Sequence, residues 1–137
     1  VVCYKLKIRL TLSLLGGNMF VNHSNHPSSM WGEKQKEVAQ EYGEIIDVPF
    51  PTIPSLATES DIKDLVLKYA ETIFKLKPVV VLCQGEFTYT YAMVACLKEQ
   101  GIPVVAACSE RNVVEQYDGN TSKKIVSFEF VKFRKYL

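Results

Sequence analysis

The sequence predicts an α/β fold: an open, mainly parallel sheet with helices on both faces, extended by a C-terminal β-hairpin. Three observations lead there. Short, wholly apolar runs at residues 79–83 and 104–108 have the character of strands buried on both faces. Segments whose apolar residues recur at helical spacing lie between the strand candidates. The last stretch changes to period-two alternation on either side of Asp118-Gly119-Asn120, a hairpin signature.

Each element has a local reason. Met19-Phe20-Val21-Asn22-His23 reads as the first strand, and residues 25–29, Asn-His-Pro-Ser-Ser, read as a turn with several helix caps. A helix follows over 31–42, stopped by Gly43, and a second strand over 45–48 ends at Pro49. Pro49, Pro51 and Pro54 predict an extended loop. Thr58-Glu59-Ser60-Asp61 signals a helix start, and Ile62, Leu65, Val66, Tyr69, Ile73 and Leu76 form its apolar stripe up to Pro78. A strand over 79–83, a helix over 87–100 closed by Gly101, and a strand over 104–108 complete the alternation. The hairpin is expected from 113–117 and 125–133. Strands alternating with helices through short connections imply right-handed crossovers and a parallel sheet, a small Rossmann-like domain. No repeat or low-complexity linker divides residues 19–137, so one domain is expected.

Composition bounds the function. At 137 residues, 47% hydrophobic and 23% charged, the chain suits one compact soluble domain with a substantial core. No stretch approaches the ~20 apolar residues that cross a bilayer, so no membrane span is expected. Sixteen Lys and Arg against fifteen Asp and Glu leave a formal charge of +1, which supplies no global field for duplex nucleic acid. Cys3, Cys83, Cys96 and Cys108 form no CxxC pair, and reduced thiols in a cytoplasmic protein are expected, without structural zinc. Residues 1–18 join Lys5, Lys7 and Arg9 to a short apolar patch that lacks a signal-peptide cleavage pattern. We read them as a non-native extension or upstream translation, with Met19 as the start; losing those three bases lowers the formal charge from +1 to −2.

The unusual polar residues gather where such sheets bind ligands, beyond the carboxyl ends of the strands. Asn22, His23, Ser24, Asn25, His26, Ser28 and Ser29 follow the first strand; Gln84, Gly85, Glu86 and Thr88 follow the third; Ser109, Glu110 and Arg111 follow the fourth. Three loops sharing one mouth would offer hydroxyls, amides, helix-start N–H groups and one arginine, a set suited to phosphate oxygens and nucleobase edges. Each residue also has a plainer role. Ser28 or Ser29 serves as an N-cap, Gly85 as a turn, and Glu86 as a first-turn acid. His23 and His26 suit either acid–base chemistry or local hydrogen bonds. Arg111 suits either an anion contact or an ion pair with Glu110 or Glu115. Trp31 is read as a packing residue, and Cys83 and Cys108 as inert core thiols rather than nucleophiles.

Common catalytic motifs are absent. Gln84-Gly85-Glu86 is not GxGxxG, and there is no P-loop and no GxSxG elbow. These absences argue against a dinucleotide dehydrogenase, an NTPase and an α/β-hydrolase. Neither a metal nor another cofactor is expected.

The run from Phe20 to Trp31, with Leu82-Cys83-Gln84-Gly85-Glu86-Phe87-Thr88 and Ala106-Ala107-Cys108-Ser109-Glu110-Arg111, resembles a family of small stand-alone CRISPR-associated proteins of type III systems. The resemblance implies a CARF-like fold and a ring-nuclease-like activity in antiviral defence, binding and cleaving a cyclic oligoadenylate second messenger without metal. On that reading a ribose 2′-OH attacks the neighbouring phosphate, and positioning supplies much of the acceleration. The resemblance assigns Arg111 and the Gly85 N–H to phosphate charge, Ser28, Ser29 and Thr88 to phosphate or ribose, Gln84 and Asn25 to adenine edges, and His26 to proton transfer. His23, Ser24, Glu86, Ser109 and Glu110 complete the expected ligand mouth. A symmetric cyclic ligand favours a homodimer, with the hairpin at its interface. Two alternatives stay open: a non-catalytic sensor or sink for the same ligand, and a Rossmann-like enzyme acting on a phosphorylated small molecule.

Overall fold

The computed structural model describes residues 17–137; the reading of the N-terminal extension lies outside them but for its last two residues. Five strands form one sheet: β1 (Met19–Ser24), β2 (Glu44–Asp47), β3 (Val80–Gln84), β4 (Val104–Asp118) and β5 (Thr121–Lys135). Three helices accompany them: α1 (Glu33–Gln40), α2 (Glu59–Leu76) and α3 (Phe87–Glu99), with a single 3-10 turn at Ser28–Met30. The strand order is β2-β1-β3-β4-β5, parallel except for the final β4–β5 pair. The mainly parallel sheet with helices on both faces and a C-terminal hairpin is therefore as expected.

Alternation along the strands sorts the core into two layers. Val21, Val81, Cys83 and Val104 face α2 and α3, whose Val66, Ala70, Ile73, Met93 and Leu97 are buried against them. Phe20, Val80, Leu82 and Val105 face the other way, onto Trp31 and Ala39. Trp31 packs edge-on to Phe20 with ring centroids 6.1 Å apart, the packing role expected of it. Helix α2 starts at a reciprocal capping box between Thr58 and Asp61 and ends at Lys77, in the left-handed region at φ 50°.

The C-terminal third differs from expectation. Residues 109–112 do not form a loop between a fourth strand and a separate hairpin. Strand β4 runs unbroken for 15 residues and is itself the hairpin's first arm, with a bulge at Cys108/Ser109 where a loop was expected. No glycine or proline interrupts Ser109-Glu110-Arg111-Asn112, so extended pairing continues to Gly119, whose φ of 60° suits the first central position of a tight hairpin turn. Cys83 and Cys108 are free thiols, and Cys3 lies outside the described residues. Among the described residues no helix is long and apolar enough to cross a membrane.

Candidate functional site

The strand order reverses between β1 and β3: the chain leaves β1 for β2 on one side and returns to β3 on the other. Such a reversal parts the loops at the carboxyl edge and opens a crevice there. Ser24 and Gln84, paired in register, stand at this point, and the Asn25 N–H donates to the Gln84 carbonyl at 3.2 Å. Two clefts meet at Ser24. The larger, about 940 Å³, opens on the α1 face and is lined by Ser24, His26, Trp31, Gln84, Ser109 and Phe130 among others. The smaller, about 510 Å³, is lined by Asn25, Asp47, Pro49, Phe50, Ile53 and Glu86 among others.

The turn after β1 is fixed by a polar network. Asn22 Nδ2 donates to the His26 carbonyl at 3.0 Å and to Asp47 Oδ1 at 2.9 Å. Trp31 Nε1 donates to the same His26 carbonyl at 3.1 Å. Ser24 Oγ donates to Asn22 Oδ1 at 2.7 Å and accepts from the His26 N–H at 3.3 Å. Asp47 accepts from the Ser28 N–H at 3.1 Å and from its hydroxyl at 3.0 Å. The backbone of His26 is thus held from several sides, and the residue, exposed, lines the larger cleft. Asp47 was not expected in this role. It lies at the carboxyl end of β2, and the rule that singled out the other loops points to it equally.

Other expected residues have structural duties. Glu86 is the N-cap of α3, accepting from the Tyr89 N–H and the Thr88 hydroxyl, each at 2.8 Å. Those donors, the Tyr89 N–H foremost, hold its carboxyl below the usual range. Thr88 is thereby occupied at the cap. Gln84 Oε1 accepts from the Ala107 N–H at 2.9 Å, joining β3 to β4 beyond their last backbone pair, Leu82–Val105. Gly85 has no room for a side chain: a Cβ there would lie 2.4 Å from the Phe50 ring. Cys83 is buried and its thiol is pushed up to about 12, so it is no nucleophile at neutral pH.

Several predicted site residues stand apart from the clefts. His23 is fully buried within the α2–α3 core layer and does not reach the mouth. Ser29 is exposed on the 3-10 turn and lines neither cleft. Glu110 and Arg111 ride on the hairpin arm, because β4 continues through them; Glu110 faces Glu129 across the ladder and Arg111 faces Phe128. Only Ser109 of that trio lines the larger cleft. In exchange, the cleft gains the start of α1. Its N-cap, Gly32, offers no side-chain hydrogen bond, so the first N–H groups of the helix stand open beside Lys34. Among the described residues no cluster of three or more metal-ligating side chains forms.

The fold and these clefts define a small α/β protein with a ligand-sized crevice at the carboxyl edge of a mainly parallel sheet. The chain belongs to the uncharacterized protein MJ1673 family, whose family model matches residues 18–134. No curated protein and no solved structure matches it.

Proposed function

We propose that this protein is a Rossmann-like, cytoplasmic component of CRISPR-based antiviral defence that binds a cyclic oligoadenylate in the larger cleft and opens its ring with His26. The observation that carries the reading is the cleft itself, about 940 Å³ at the strand-order reversal, with His26, its backbone fixed and the residue exposed, on its wall. Ligand pockets span roughly 300 to 1,000 Å³, so this one has room for more than a single nucleotide. The open N-terminus of α1 and Lys34 suit phosphate, Gln84 retains its amide donors for a base edge, and Ser109 offers a hydroxyl. In the reaction a ribose 2′-OH attacks the adjacent phosphorus and the bond to the leaving 5′-oxygen breaks. His26 moves the proton, and the product is a linear chain ending in a 2′,3′-cyclic phosphate.

Binding without turnover is the second reading, and one observation favours it. Arg111 lies outside the cleft of its own protomer, and the hydroxyls of Ser28 and Thr88 are occupied by Asp47 and Glu86, so phosphate has fewer ligands than the resemblance implies. Incubation of the protein with a panel of cyclic oligoadenylates in EDTA, followed by chromatography and mass spectrometry, separates the readings. Linear products carrying a cyclic phosphate support ring opening, intact ligand retained on gel filtration supports the sensor or sink, and the absence of both binding and cleavage across the panel overturns the proposal.

A further inference from the structure

Beyond Val105, β4 has no backbone partner in β3, and residues 109–129 form a two-stranded ribbon that is exposed almost throughout. At ~3.3 Å per residue it reaches roughly 30 Å from the sheet. A lone two-stranded ribbon is marginal in water. This one nevertheless leaves Val113, Val114, Val126, Tyr117 and Phe128 in solvent, the last two exposed at 75% and 69%.

Residues directly opposite each other share a face. On the face toward the larger cleft the pairs from base to tip are Ser109/Phe130, Arg111/Phe128, Val113/Val126, Glu115/Lys124 and Tyr117/Ser122. That order is complementary to its own reversal. Turned end for end about Val113/Val126, it sets Arg111 over Glu115, Phe128 over the Lys124 ammonium, and Tyr117 over Ser109 beside Phe130. The opposite face fails the same operation, since Glu110 falls on Asp118. Arg111 has no ion-pair partner among the described residues. The arm carries four acids and three bases, which disfavours nucleic acid as its occupant.

We propose that the arm packs face to face, antiparallel, on the arm of a second copy of this chain, with the twofold axis at Val113 and Val126. The arm alone, roughly 30 Å by 10 Å, is smaller than the ~800 Å² each partner gives a standard interface. Within that contact Tyr117 of the second copy lands on Ser109 and Phe130, which line the larger cleft. Each copy therefore closes the rim of the other's cleft.

Sedimentation equilibrium of the full chain without nucleotide tests this. A dimer is expected, with Val126→Glu raising its dissociation constant about tenfold or more and Ile125→Glu, on the other face, leaving it unchanged. In a Cys108→Ser background, a short bis-maleimide joins Val113→Cys into a covalent dimer and does not join Val114→Cys. A monomer at every concentration, or equal effects from the two faces, overturns the proposal. Because no nucleotide is present, this outcome is independent of the reading of the cleft.

Discussion

The Nε2 atom of His23 lies 2.8 Å from the Tyr89 hydroxyl, while its Nδ1 lies 2.8 Å from the Val48 carbonyl oxygen. A carbonyl only accepts, so Nδ1 carries the proton and Nε2 accepts from Tyr89. Phe50, Tyr69 and Tyr89 surround the imidazole with ring centroids 5.4 to 5.7 Å away. A histidine placed at the mouth by its sequence neighbours is therefore a neutral core residue tying β1 to α3 and to the end of β2.

Stability should fall in acid because of this residue. Burial holds the folded imidazole below its ordinary 6.5, outweighing the Val48 hydrogen bond, whereas the unfolded chain protonates near 6.5. Above 6.5 neither state binds the proton and the stabilisation is complete. As pH drops below that value the unfolded state gains a proton that the folded state refuses. Stability then declines by up to ~1.4 kcal/mol per pH unit until the folded imidazole titrates. Urea unfolding from roughly pH 7.5 to 5 should show this slope, shallower in His23→Gln. Equal slopes in the two proteins would remove His23 as the cause.

Tyr89→Phe deletes the donor that Nε2 has among the described residues and leaves a buried acceptor unpaired. We expect a loss of about 1 to 3 kcal/mol with the fold retained. Chemical denaturation measures it, and a loss under ~0.5 kcal/mol would mean that another donor replaces the hydroxyl.

Gly85→Ala should destabilise by about 1 to 3 kcal/mol, since the added Cβ would lie 2.4 Å from the half-buried Phe50 ring. The strain comes from crowding rather than backbone conformation. A smaller side chain at position 50 should then relieve it: Phe50→Leu combined with Gly85→Ala should cost less than the two single losses together. Strict additivity in thermal unfolding would show that the ring is not what Gly85 accommodates.

How far the sequence disclosed this molecule depends on the range of the interactions involved. The stripe from Ile62 to Leu76 and the Thr58–Asp61 box are local, and both appear in α2 as expected. Ser24, Asn25, His26, Gln84, Glu86 and Ser109 reach the two clefts because strand ends in a parallel sheet converge by topology. The misplaced residues have non-local causes. Alternation in β1 turns His23 toward α2 and α3 while Asn22 and Ser24 face away, and strand periodicity alone does not say which face is core when both are covered. Arg111 and Glu110 left the mouth because β4, with no glycine or proline to stop it, continues through them paired to β5 where a loop was expected; the extra residue of the register shift, Val131, lies on β5. The walls given by Pro49, Phe50 and Ile53 also follow a strand, but their proline-rich composition signals an extended connection rather than a site.

His26 is where geometry and chemistry separate most cleanly. Its backbone is fixed by Asn22, Trp31 and Ser24, and those contacts involve only main-chain atoms of His26. Replacing the imidazole therefore leaves the turn intact. Under the proposed ring opening, His26→Ala should retain cyclic oligoadenylate affinity within a few-fold and lose about 10² or more in single-turnover cleavage, the scale of a general acid–base contribution. His26→Gln should bind as well and cleave no better than Ala, because an amide can hydrogen-bond but cannot carry the proton. Trp31→Phe releases one donor from the His26 carbonyl and keeps the imidazole, so its loss should fall on cleavage through misplacement, with the pH profile unchanged. If Ala and Gln weaken binding and cleavage by the same factor, His26 positions the ligand and some other group moves the proton.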